Sequence, residues 1–147
     1  MIRSLMHHLV GTISVIFYFL NTVLWATPII ILSFFKLIPL APWRRFISYI
    51  LDACATAWIT INNLNQRVSS RTKWDVTGLD QLTRNDWYLV IANHQSWVDI
   101  LVLQRVFNRK IPFLKFFLKK ELIYVPILGL TWWALDFPFM RRYSKSF

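Results

Sequence analysis

The run Asn93-His94-Gln95-Ser96-Trp97-Val98-Asp99 places an imidazole five positions ahead of a carboxylate. Imidazole is the side chain whose ordinary titration range straddles neutral pH, so it can take and return a proton; a carboxylate beside it can orient the ring and stabilise its cation. Spacing constrains how the two can meet. On one continuous helix, positions five apart are separated by about 140° and point from different faces. Contact therefore requires His94 in a loop and Asp99 in the first turn of the next helix. Ser96 is a good N-cap residue and would make Asp99 the third helical residue, which allows that geometry. The same residues also have a purely structural meaning. Ser96-x-x-Asp99 fits a capping box, and a histidine at a strand end is commonly just a hydrogen-bonded residue. Spacing alone leaves both readings open.

Elements that position this cluster are legible on either side of it. Trp87 to Ala92 is a continuous apolar run of strand length, so the polar cluster falls at the carboxyl end of a strand, where open α/β sheets place their ligand sites. Trp74 to Gly78 reads as a short strand ending in a turn, and Arg84-Asn85-Asp86 as another turn. Ile100 to Phe107 is helical, Ile111 to Phe117 a strand, Pro126 to Leu135 a short helix and Phe137 to Met140 a strand. Strands alternating with helices predict an α/β fold, a sheet of βαβ units.

Composition narrows the partners. The chain has 147 residues, 56% hydrophobic, 17% aromatic and only 16% charged, with mean hydropathy +0.42. A disordered chain would show the opposite balance, and an ordinary soluble domain would carry about 25% charge. The net charge of +10 attracts anions: nucleic acid, acidic headgroups or phosphorylated substrates. That excess sits at the two ends, +4 over residues 1–50 and +7 over 101–147, around a middle of −1. It flanks apolar segments instead of striping a soluble domain, which favours a membrane and argues against nucleic acid as a partner. Cys54 is the lone cysteine and lies in an apolar stripe, so it reads as a small buried hydrophobe. His7 and His8 are adjacent and remote from His94, and no metal site is expected. Lys115, Lys119 and Lys120 flank Phe113, Phe116 and Phe117, a solvated face or a surface toward anionic lipid.

Residues 1–64 read as membrane-embedded and interfacial helices. No formal charge occurs between Ser4 and Phe35. As one helix, Leu9 to Phe35 would measure roughly 40 Å against a hydrocarbon thickness of ~30 Å. A single tilted span kinked before Pro28 is favoured over a shallow pair bending near Asn21 or Thr27-Pro28. The run exceeds a signal-peptide core and lacks a clean small-x-small site, which favours retention over cleavage. Lys36, Arg44 and Arg45 outweigh Arg3, placing the remainder of the chain on the cytoplasmic side. Trp25 and Trp43 suit headgroup depth. From Phe46 to Leu64 the spacing of Ile47, Ile50, Leu51, Cys54 and Trp58 predicts an amphipathic or interfacial helix, and polar Asn65 to Lys73 marks a boundary.

Residues 74–142 resemble the glycerophospholipid acyltransferases. Asn93-His94…Asp99 is similar to their N-H-x-x-x-x-D block, and Pro126-x-x-Gly129 followed by Phe139-x-x-Arg142 is similar to their second block, both in family order. Within that family the chain resembles the 1-acylglycerol-3-phosphate O-acyltransferases in their bacterial inner-membrane form. The resemblance implies that His94 is the general base, that Asp99 is its partner, and that Arg142 (or its neighbour Arg141) grips the acceptor's phosphate. It implies an acyl-CoA or acyl carrier protein donor, a lysophospholipid acceptor, and no other cofactor. Members carry a third block, E-G-x-R; the only glutamate here, Glu121, is followed by Leu122. Residues 74–147 are therefore expected to be the N-terminal half of such a domain, an incomplete sheet, with a catalytically inactive membrane-binding fragment as the alternative function.

Overall fold

The computed structural model describes residues 2–70 and 72–141. Helix α1 covers Ile2–Ser33, passes through Pro28 without ending, and is followed by a 3-10 turn over Phe34–Leu37. It is one helix, not a bent pair. The stretch Leu5–Leu37 is long and apolar enough to cross a membrane, a test that a signal sequence near the N-terminus also meets. Its threonine hydroxyls are satisfied within the helix: Thr12 donates to the His8 carbonyl at 2.9 Å, Thr22 to Tyr18 at 2.7 Å and Thr27 to Val23 at 2.8 Å. Such back-bonding lets a hydroxyl sit on an apolar helix without a partner from outside it.

Helix α2 covers Ala41–Ser69. It starts before the expected Phe46, since Pro42 in the first turn sacrifices an N–H that lacks a partner anyway. It also runs on through Ser69, into the polar tract expected to mark a boundary. The reason is tertiary: Asn65 donates to the Ser14 hydroxyl at 2.9 Å, and Ser14 donates to Ser69 at 3.3 Å. Polar side chains here are spent on a neighbouring helix.

Contacts divide the chain into two compact units. One takes in the chain through Thr22 together with Thr56–Leu114; the other takes in Val23–Ala55 together with the chain from Lys115 on. In the first unit, buried Asn21 donates to the Asn62 side chain at 2.8 Å and to the Trp58 carbonyl at 3.1 Å. Helix α3, Trp97–Phe107, is tied to α2 by Asn108 donating to Thr60 at 3.0 Å and by Arg105 donating to Gln66 at 3.4 Å. The Arg105 guanidinium also stacks 4.2 Å over the Trp74 ring, a cation–π contact that holds the start of the segment leading to the site.

That segment corrects the predicted sheet. Gly78 has the positive φ (79°) of the expected turn, and the turn at Arg84–Asp86 forms. Trp74–Gly78 and Trp87–Ala92, however, form no strand and have no ladder partner among the described residues, and Trp87, Leu89 and Ile91 are exposed. An apolar run supplies the side chains of a strand; a neighbour must supply the hydrogen bonds. Ile111–Phe117 is likewise without regular structure.

The second unit holds the sheet that does form. Strands β1, Leu118–Lys119, and β2, Phe139–Met140, pair in parallel with Leu118 opposite Phe139. The crossover between them contains a 3-10 turn, Lys120–Tyr124, and helix α4, Leu128–Ala134. This is a βαβ connection, on a two-residue ladder. Ile47, Leu51 and Ala55 of α2, together with Ala26 and Ile29 of α1, form part of the buried core of this unit, and Leu118, Ala134, Leu135 and Phe137 are buried in it as well. Cys54 is half-buried.

The Pro126-x-x-Gly129 turn has a definite physical content. Ile127 takes φ 64° and ψ −58°, and the Leu128 N–H reaches the Pro126 carbonyl at 2.7 Å, a γ-turn of the rare positive-φ form. The turn drives Gly129 onto the backbone of Ile123. A Cβ there would lie 2.0 Å from the Ile123 carbonyl oxygen. Helix α4 closes in a Schellman motif, with Asp136 at φ 58°, its N–H on the Trp133 carbonyl and the Phe137 N–H on the Trp132 carbonyl.

Gly129→Ala sets a gain in helix propensity of about 1 kcal/mol against a backbone clash that a flexible side chain cannot relieve. The clash wins, with a net loss of about 1–2 kcal/mol. Thermal unfolding of the detergent-purified variant should show a midpoint several degrees lower; an unchanged or raised midpoint would contradict the close approach.

Candidate active site

Helix α3 begins with a full capping box. Ser96, extended at φ −155° and ψ 169°, is the N-cap; its hydroxyl accepts from the Val98 N–H at 3.2 Å. From the third helical position the Asp99 carboxylate reaches back, and its Oδ2 accepts the Ser96 N–H at 2.7 Å and the Gln95 N–H at 2.5 Å. The chain before the cap has no helical structure, so His94 lies off the helix. Its Nδ1 is 3.4 Å from the same Asp99 oxygen. Cap and pair were alternatives on spacing; in space they are one construction, because a single carboxylate oxygen serves both.

The electrostatics come from these contacts. The Ser96 and Gln95 N–H groups hold the Asp99 carboxyl below its usual range, and the adjacent His94 adds to the effect. Hydrogen bonds donated to the charged form favour it. The His94 side chain is 63% exposed and that of Asp99 29%, so the ring is open to solvent while the carboxylate is partly sheltered beneath it. With Nδ1 turned to the carboxylate, Nε2 is the ring nitrogen facing outward, able to accept a proton from a donor that docks on that side.

Arg141 is exposed and directly follows β2 in the second unit, whereas His94 and Asp99 belong to the first. Arg142 lies outside the described residues. No cluster of three or more metal-ligating side chains occurs among the described residues. Lys115 lies 3.6 Å from Asp52 and Lys119 lies 3.9 Å from Glu121, so two of the three lysines beside the aromatic run face acids. Phe116 stacks on Phe137 at 6.4 Å, and Phe117 is exposed. Trp133 is exposed and Trp132 half-buried. Gln95 was absent from the candidates: it contributes through its backbone N–H, and a main-chain donor leaves no signature in residue type.

The Asp99 pKa is lowered in the folded chain, so its ionised form contributes stability above the ordinary carboxylate range, a contribution that disappears as pH falls through the depressed value. Titration of the Asp99 carboxyl by NMR should give a midpoint below about 3.9, with hydrogen exchange at the Gln95 and Ser96 amides accelerating over the same interval. A midpoint at or above the ordinary value would mean that the amides do not grip the carboxylate.

No curated protein and no solved structure matches the chain. The Acyltransferase family model matches residues 73–146, just over half of the chain, and that interval contains His94, Asp99 and Gly129. Through this domain, the chain belongs to the Acyltransferase family.

Proposed function

We propose that this acyltransferase moves a fatty acyl chain from acyl-CoA or acyl carrier protein to the free hydroxyl of a lysophospholipid such as 1-acylglycerol-3-phosphate, a step of phospholipid biosynthesis at the cytoplasmic face of a bacterial inner membrane. The observation that carries this reading is the exposed His94 ring with Nδ1 against the amide-held Asp99 carboxylate. An acyltransferase needs a base at its acceptor hydroxyl, and this pair supplies one.

In this mechanism His94 Nε2 takes the proton from the acceptor hydroxyl as that oxygen attacks the thioester carbonyl. Asp99 stabilises the imidazolium that forms. The attack forms the C–O bond and a tetrahedral oxyanion; its collapse restores the carbonyl and breaks the C–S bond. The leaving sulfur takes the proton back from His94, and the base is regenerated. The substrate's hydroxyl stands where a serine stands in a Ser-His-Asp triad, so no acyl-enzyme forms. Arg142, with Arg141 beside it, is assigned to the acceptor's phosphate, whose oxygens a planar guanidinium can hold two at a time.

The membrane reading is supported by the apolar length of Leu5–Leu37 and by the excess of Lys36, Arg44 and Arg45 over Arg3 on its flanks. His94→Ala should lower transfer of radiolabelled acyl groups to lysophosphatidic acid by at least about 10²-fold, the lower end for a positioned general base, while the variant still sediments with membranes. An unchanged rate would remove His94 from the chemistry. A wild-type chain that binds vesicles but never turns over would favour the inactive-fragment reading.

A further inference from the structure

In the second unit, Lys36, Arg44, Arg45, Tyr49, Asp52 and Asp136 line an open recess that has no member in the acyl-transfer site. Its two acids are already faced by lysines. Lys36 pairs with Asp136 at 2.5 Å and also donates to the Ala134 carbonyl at 3.4 Å, while Lys115 lies 3.6 Å from Asp52. Among the described residues, Lys36, Lys115, Arg44 and Arg45 against Asp52 and Asp136 leave two positive charges, and the exposed side chains are those of Arg44 and Arg45. Helix stability does not account for them: Arg44 closes the first turn of α2 and Arg45 follows it directly, at the end where the macrodipole disfavours cations.

Their surroundings identify the anion. Lys36 closes the apolar stretch that ends at Leu37, and the arginines follow within two turns. Between and beside these cations, Leu37, Leu40 and Phe46 are exposed apolar side chains. Trp43 lies against Phe46 with ring centroids 5.9 Å apart, its indole N–H donating to the Phe35 carbonyl at 2.9 Å. A small soluble anion would employ the arginines and leave the apolar shelf in water. A bilayer headgroup employs both, with apolar and indole groups at the acyl boundary and cations at phosphate depth.

We propose that Arg44 and Arg45 bind the phosphate of an anionic phospholipid of the surrounding bilayer, a headgroup site separate in the chain from His94 and Asp99. Lys36, held by Asp136, fixes the floor of the recess. The proposal rests on α1 being a membrane span and is independent of which acceptor is acylated.

The test uses the full chain in phosphatidylcholine vesicles, without acyl donor, comparing the association of spin-labelled phosphatidylglycerol with that of spin-labelled phosphatidylcholine. The anionic lipid should be preferred, and Arg44→Gln and Arg45→Gln should each lower the preference about fivefold, from roughly 1 kcal/mol per charge at a membrane surface. Arg44→Lys/Arg45→Lys should keep most of it, and the charge-matched Lys73→Gln/Lys110→Gln should not alter it. A preference untouched by the glutamine variants overturns the site, as does equal loss in the Lys73/Lys110 control or abolition when inorganic phosphate replaces chloride at constant ionic strength. Failure of the chain to float with phosphatidylcholine vesicles at all sinks the span itself, and this site with it.

Discussion

One carboxylate oxygen organises the candidate site in the first unit. Asp99 Oδ2 receives two backbone N–H groups and faces the His94 ring, so the start of α3 and the orientation of the histidine are the same event. A helix N-terminus has donors without partners, and a carboxylate in its first turn is the nearest acceptor for them. Once ionised and held there, it is also a fixed negative charge. An imidazole on the incoming chain then has one side turned toward that charge and the other toward solvent. Removing the carboxylate would loosen the cap and unmoor the ring together.

The second unit is organised by close backbone approach and charge pairing. Gly129 lets α4 settle on the Ile123 carbonyl, and the Schellman closure places Asp136 where Lys36 reaches it. The βαβ crossover depends on this compactness, because a two-residue ladder supplies little hydrogen bonding of its own. The γ-turn at Ile127 carries a β-branched residue at positive φ, and such strain persists only where the surroundings over-determine it. Here the surroundings are the Pro126 carbonyl on one side and the Ile123 backbone on the other.

Between the helices of the first unit, polar contacts fix which faces meet where the surfaces around them are apolar. Asn21 and Asn62 meet in a buried pair, and Asn65 meets Ser14. When both alternatives are apolar, hydrogen bonds and tight packing decide which helix faces which, each bond contributing about 0.6 kcal/mol and at most ~2. That is why α2 carries asparagines on a face whose earlier positions, Ile47, Leu51 and Ala55, are apolar.

Local patterns alone determined much of this protein: the long apolar N-terminal helix, the Ser96 cap with Asp99 in its first turn, the turns at Gly78 and Arg84–Asp86, and the short helix that follows Pro126. Each depends on spacing within a few residues, which sequence records directly. Tertiary structure decided the rest. Trp87–Ala92 has the apolar side chains of a strand but no ladder partner among the described residues, while Leu118–Lys119 and Phe139–Met140 pair across a crossover that no local pattern specifies. The polar tract after Leu64 stayed helical because Ser14, some fifty positions away, accepts a hydrogen bond from it. The approach of His94 to Asp99 was permitted by spacing; the Gln95 and Ser96 amides that aim the carboxylate made it a contact, since hydrogen bonds from the main chain depend on conformation and not on residue type.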